Sequence, residues 1–280
     1  MLAYRHHFHA GNFADVFKHA LLVRLLLGFG AKDKPFCYVD THAGVGRYDF
    51  AHPWAQKNAE FRDGVGRLWE RQDFPDPLAP YIAAVRAENP NGKLRWYPGS
   101  PRIARRFLRS GDRMVLSELN KADVAALGVL FASDRQVTVH LMDGFHSVKA
   151  HLPPPERRGL VLIDASFDRA GELKRVVQAL ATAHERWATG VYAIWYPLLA
   201  PPAMRAFERN VVATGIRKIL QLELAVRRET WTLGLRGCGL LVVNPPFRFD
   251  EEARAILEWL WSALTPAGEG GHRLRWLAPE

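Results

Sequence analysis

The sequence predicts an α/β fold of the Rossmann-like kind, a mostly parallel seven-stranded sheet with an antiparallel last strand and helices on its faces. Three observations carry this reading. Short apolar runs end in acidic or turn residues, helical spacing fills the intervals between them, and those helical stretches stop at glycine. Runs this short and this apolar read as strands buried on both faces, the pattern of a parallel sheet covered by helices.

In chain order the runs lie at 35–44 (PFCYVDTHAG), 114–119, 137–144, 159–167, 191–197, 218–226 and 237–246. Between them, 171–190 and 201–215 keep an amphipathic helical period and close at Gly190 and Gly215. In a doubly wound sheet of this kind, ligands collect at the carboxyl ends of the parallel strands. One interval breaks the alternation. No strand pattern emerges between Gly46 and Pro98, where 58–73 and 78–89 read as helical. The expected organisation is a main domain formed by 1–46 and 98–280, with 47–97 as a helical insertion.

Composition narrows the class. The 280 residues are long enough for a large core, and 48% apolar with 24% charged is ordinary for a globular chain. No apolar run reaches the roughly 18 residues of a membrane span, and the opening MLAYRHHFHAGNF is too polar for a secretory leader. A cytoplasmic protein is expected. With only Cys37 and Cys238 present, both are expected to be reduced core residues. The 38 Lys and Arg outnumber the 29 acids, giving +9 and a pI near 9.8. Such a surplus suits a polyanionic partner, and a basic small-molecule enzyme fits the charge equally well.

The strand ends carry the candidate chemistry. Asp40 closes the first strand and is followed by Gly44 and Gly46, a turn through which a ligand can approach the backbone. Glu118 closes the second strand, where a carboxylate can accept from both hydroxyls of a ribose. Asp143-Gly144 closes the third, placed to read an adenine amine. Glycine turn, Glu and Asp-Gly on successive strands is the layout of an S-adenosylmethionine site. A dinucleotide oxidoreductase would instead run Gly-x-Gly-x-x-Gly directly into a helix. Ser100 reads as a helix N-cap with Pro101 at the first helical position, a role compatible with touching ligand. His6, His7, His9, His19 and His42 cluster near the first strand, but no Cys or carboxylate falls at a matching metal spacing, so no metal is expected.

Two tetrapeptides compete for the substrate. Asn244-Pro245-Pro246-Phe247 has the form that adenine-amine methyltransferases place against their base, while Asp164-Ala165-Ser166-Phe167 stands at the end of the fourth strand. In this fold the last strand runs antiparallel, so Asn244 should leave the sheet at the edge away from the cofactor. It is expected to be a strand exit, with the prolines ending the ladder.

Together with these strand ends, the opening segment YRHHFHAGNFADVFKH (4–19) is distinctive enough to identify a family. The chain resembles the bacterial 23S rRNA adenine-2030 N6-methyltransferases nearly end to end, through DTHAGVGRY, YPGSP, SEL, DG, GLVLID, WYP, TGIRKILQLEL and the closing NPP. The resemblance implies a Rossmann-like methyltransferase with a helical insertion after the first strand, acting on 23S rRNA with S-adenosylmethionine; a monomer is expected. It places cofactor contacts on His19, His42, Ser100, Glu118, Asp143, Gly144 and Asp164, with Asp164 as the catalytic carboxylate. It also places substrate RNA at Tyr4 and Phe167, with Lys18 beside either ligand. The departure is Asp-Ala-Ser-Phe where the family carries Asp-Pro-Pro followed by Tyr or Phe. Ala165 keeps the carbonyl that the chemistry needs, and the loss is rigidity, about 0.4–1 kcal/mol per proline. Methylation of DNA, and a non-catalytic nucleic-acid-binding protein of the same fold, stay open as alternatives.

Overall fold

The structure is a computed structural model that describes residues 5–168 and 171–280. Its strands are β1 (Cys37–Asp40), β2 (Arg47–Asp49), β3 (Trp96–Pro98), β4 (Arg113–Glu118), β5 (Val137–Leu141), β6 (Gly159–Ile163), β7 (Val191–Pro197), β8 (Ile219–Ala225), β9 (Gly237–Val243) and β10 (Gly271–Ala278). Eight of them form one sheet in the order β10-β8-β9-β7-β6-β1-β4-β5, and β2 pairs with β3 alone. The run from β7 through β6, β1 and β4 to β5 is parallel, whereas β9 is antiparallel to both β7 and β8.

All seven apolar runs are strands, and the continuity of their apolar character has a direct cause. In β1 and β6 alternate residues enter opposite cores. Tyr38, Leu160 and Leu162 pack on one face with Phe17 and Leu21 of the helix Phe13–Gly30. Val39, Val161 and Ile163 pack on the other with Val176 and Leu180 of the helix Glu172–Arg186. A strand covered on both sides has no position left for a polar alternation. Cys37 and Cys238 are both buried and free.

Two corrections follow. The sheet has an eighth strand, β10, antiparallel to β8. Its sequence GHRLRWLA mixes His272, Arg273 and Arg275 with apolar residues because it is an edge: Arg273 answers Glu223 and Arg275 answers Gln221 across the ladder. Strands also exist between Gly46 and Pro98, since β2 and β3 close the two ends of that interval as a small antiparallel pair. Three residues each are too short to show a period, and the pair is held by the Arg47 guanidinium over the Trp96 ring at 4.0 Å and by Arg95 on Asp49.

Within the interval are the short helices Pro53–Asn58, Val65–Leu68 and Ala79–Ala87. Val65, Leu68, Tyr81, Ile82 and Val85 bury into the same core as the helix Phe13–Gly30. The backbone of the opening segment lies directly against it: a Cβ at Gly64 would sit 2.1 Å from the carbonyl oxygen of Gly11. Among the described residues no helix is long and apolar enough to cross a membrane.

Candidate active site

Asn12 begins the site. Its side chain accepts from the backbone N–H groups of Ala14 and Asp15 and so caps the helix Phe13–Gly30. That start aims Asp15, Lys18 and His19, all buried, toward the carboxyl ends of the parallel strands. Lys18 Nζ donates to Asp164 Oδ2 at 2.6 Å and lies 2.9 Å from Asp15 Oδ1. Asp15 Oδ2 in turn accepts from the Gly11 backbone at 2.9 Å and meets His6 Nε2 at 2.8 Å. The distinctive opening segment is therefore wired to the carboxylate at the end of β6.

The electrostatics are cooperative. Burial alone would depress the Lys18 ammonium, but Asp15 and Asp164 outweigh it and hold the pKa well above the ordinary lysine value. For Asp15 burial is likewise outweighed, here by His6 and Lys18, and its carboxyl sits well below the usual range. His19 is different: desolvation takes it down to about 3, so the ring is neutral. Its Nδ1 pairs with the Tyr97 hydroxyl at 2.9 Å, while its buried Nε2 has no hydrogen-bond partner among the described residues.

Lys18, His19, His42, Ser100, Glu118, Asp143, Gly144, Asp164 and Phe167 all line one cleft of about 1160 Å³. Tyr4 lies outside the described residues. Glu118 is pinned by three backbone donors, Gly44 N–H at 2.9 Å and the N–H groups of Leu119 and Asn120 at 2.7 and 2.8 Å. Asp143 caps the helix Gly144–His151 through Phe145 and His146, and a Cβ on Gly144 would stand 2.2 Å from the Thr41 carbonyl oxygen and 2.6 Å from the His42 ring. Only glycine fits where these chains meet.

Ser100 departs from the sequence reading. Gly99 is the N-cap and Ser100 the first helical residue, with no side-chain capping bond. Its hydroxyl instead bonds the buried carboxyl of Asp40, which burial raises to about 6 and which Tyr38 also holds at 2.8 Å. A serine that satisfies a buried carboxyl is not available to cap a helix.

Asp164 is 17% exposed in its side chain and Ala165 is buried behind it. Where the resemblance implies two prolines stand Ala165 and Ser166, and the Ser166 hydroxyl donates to Asp168 Oδ1 at 2.6 Å. Phe167 takes a left-handed φ of 53° and its ring lies 5.6 Å from that of Trp195, which also lines the cleft. Asn244 is elsewhere. It bonds the carbonyls of Ala188 and Gly190, just before β7 begins, and Phe247 is 93% exposed.

Sequence reasoning passed over Asp15, His6 as its partner, and Trp195. Asp15 stands one helical turn before Lys18, a spacing that could have suggested the pair. Trp195 inside VYAIWYP reads only as a strand residue.

The donor set suits S-adenosylmethionine. Glu118 is pre-fixed yet retains acceptor capacity for ribose hydroxyls, the Gly44 turn gives backbone access, and His19, whose buried Nε2 has no hydrogen-bond partner among the described residues, lines the same cleft.

Comparison with known proteins gives the same direction. Residues 33–278 match the family model described as "Ribosomal RNA large subunit methyltransferase D, RlmJ". The Escherichia coli protein named "Ribosomal RNA large subunit methyltransferase J" is 43% identical over 280 residues, covering all of both chains. Its Haemophilus influenzae namesake is 44% identical over 281 residues, again with full coverage of each. A crystal structure of a Legionella pneumophila protein superposes with a TM-score of 0.90 at 37% identity, over 96% of this chain and 98% of that one.

Proposed function

The chain belongs to the ribosomal RNA large subunit methyltransferase J family, and from that premise we propose that its cleft methylates the N6 amine of one adenine, position 2030 of 23S rRNA, using S-adenosylmethionine. The observation that carries this reading is the carboxylate of Asp164, fixed by Lys18 at 2.6 Å at the end of β6 with the Ala165 carbonyl beside it and an aromatic ring three residues on.

An exocyclic adenine amine is a poor nucleophile because its lone pair is delocalised into the ring. Two acceptors on its two hydrogens draw that lone pair back toward nitrogen. S-adenosylmethionine supplies the electrophilic methyl group. Lys18 engages one oxygen of Asp164, which leaves the other to accept one amine hydrogen, while the Ala165 carbonyl accepts the second. Phe167 and Trp195 offer ring faces to a base that has left its stack, an unstacking that costs a few kcal/mol when the base starts paired. His19, His42, Ser100, Glu118, Asp143 and Gly144 belong on the cofactor side of this cleft. Lys18 and Phe167 belong on the substrate side, and the family resemblance gives Tyr4, outside the described residues, a contact with the RNA.

The test is methyl transfer to unmodified 23S rRNA and to DNA of the same sequence. Methyl groups recovered as N6-methyladenosine from the RNA support the reading. Transfer to the DNA alone would redirect the same chemistry, and transfer to neither would leave a nucleic-acid-binding protein that has kept the fold.

A further inference from the structure

The Arg-rich stretch that follows β8 plays no part in the chemistry above. Residues Arg227 to Gly234 form eight consecutive exposed positions between β8 and β9. Within them the Arg227 guanidinium lies 5.3 Å from the centre of the Trp231 ring, and Trp231 is anchored by its indole N–H on the Leu233 carbonyl. Trp231 is nevertheless 39% exposed and Leu233 75%. One exposed apolar side chain is ordinary, but two on one short loop beside arginines invite a reason.

Position supplies one. Trp231 and Leu233 stand at the rim of the 1160 Å³ cleft, and Arg227 lines both that cleft and a second one of about 510 Å³. The second cleft is floored by acids that are already spent. Arg273 holds Glu223 and Glu208, Arg275 holds Glu208, and Gln221 bridges the two glutamates. Arg228 is engaged by Glu269 at 2.9 Å. Arg205, Arg227 and Arg236 remain, none with an ion pair among the described residues, against Glu229 as the cleft's other carboxylate in that condition. A base-stacking ring at the mouth of the catalytic cleft leads into a trough with an excess of unneutralised guanidinium. That is the arrangement that holds single-stranded nucleic acid, rings for bases and cations for phosphates.

We infer that the β8–β9 loop is a docking surface for the RNA strand leaving the target adenine, with Trp231 stacking on a nucleotide that flanks the target and Arg205, Arg227 and Arg236 holding the phosphates beyond it. The inference rests on the RNA-methylation reading for the identity of the strand, and it adds a second point of grip outside the reacting base. Stacking of this kind is sequence-tolerant, so the loop sets affinity and register while the catalytic cleft selects the base.

The experiment uses the full chain with a labelled 23S rRNA fragment, measuring both RNA affinity by fluorescence anisotropy and steady-state methyl transfer. Trp231→Ala is expected to raise Kd and KM for RNA about tenfold, with kcat and S-adenosylhomocysteine affinity unchanged, and Trp231→Phe to recover most of the loss. The triple variant Arg205→Gln/Arg227→Gln/Arg236→Gln is expected to flatten the slope of log Kd against log salt by about 2, close to 0.7 for each phosphate contact removed. Variants that bind RNA as tightly as the parent, with the same salt slope, overturn the docking surface whether or not the parent is active. A parent that binds RNA through this loop but transfers no methyl group would leave the surface standing and refute the methylation reading instead.

Discussion

The ion pair between Lys18 and Asp164 joins residues 146 positions apart, and it is the residue-level fact on which the catalytic account turns. Lys18 is buried between two carboxylates, so removing it strands negative charge away from water. Lys18→Met is expected to cost about 3–5 kcal/mol of stability, and Asp15→Asn in the same chain to recover part of that; denaturant unfolding of the two single variants and the double reads the coupling. His19 carries the pH dependence. Burial lowers its pKa from 6.5 to about 3, so the folded state refuses a proton that the unfolded chain accepts. A lowered histidine contributes stability in full above pH 6.5 and loses it as pH falls from there toward 3. Between pH 7 and pH 5 the loss from this one ring is about 2 kcal/mol. Replacing it by His19→Gln should shrink the drop in unfolding free energy over that interval by the same amount, measured by denaturant titration at the two pH values. Little of this was legible in the sequence. Lys18 could be placed near the ligands through the opening segment, but its partner on β6 became visible only when the chain was folded, and the burial that shifts His19 has no local sequence signature.

At the scale of elements the sequence was far more informative. Most of the seven apolar runs were legible because the strands they form are covered on both faces, as β1 and β6 are, a condition that shows in composition, while β5 at the end of the sheet is only half-buried. β10 and the β2–β3 pair escaped for the opposite reason: an edge strand balances its arginines against Glu223 and Gln221 rather than burying a stripe, and three-residue strands are too brief for periodicity. Strand direction, in turn, decided between the two tetrapeptides. β9 runs antiparallel to β7, which puts Asn244 beside Gly190 at the start of β7 and Asp164 at the other edge. Ser100 shows the limit of motif reading, since Ser-Pro ahead of a helix looks like a cap until a buried carboxyl nearby claims the hydroxyl. The junction of β5 and the helix Gly144–His151 gives an element-level prediction. Gly144→Ala forces a methyl group against the Thr41 carbonyl and the His42 ring, so the β1 turn and this helix must separate. Affinity for S-adenosylhomocysteine should fall at least tenfold by calorimetry, while far-ultraviolet circular dichroism stays unchanged.

For the whole molecule, the +9 charge suits a polyanionic partner, and the docking surface proposed beside the catalytic cleft would put to that use the arginines around the β8–β9 loop that have no ion pair among the described residues. The net charge was evident from composition, but its placement was not, because half of the arginines named here neutralise acids of their own fold. The departure from the family pattern at Ala165-Ser166 bears on the molecule's activity as a whole. The carboxylate, the carbonyl and the ring are all retained, and the Ser166 hydroxyl bonds Asp168 in the turn where the family resemblance implies prolines. The direct measurement is the N6-methyladenosine content of 23S rRNA, by nuclease digestion and mass spectrometry, after reaction with the parent chain and with Asp164→Ala. The account predicts one N6-methyladenosine at position 2030 from the parent and none from the variant. Equal methylation by both, or none by a parent that binds S-adenosylhomocysteine, would contradict it.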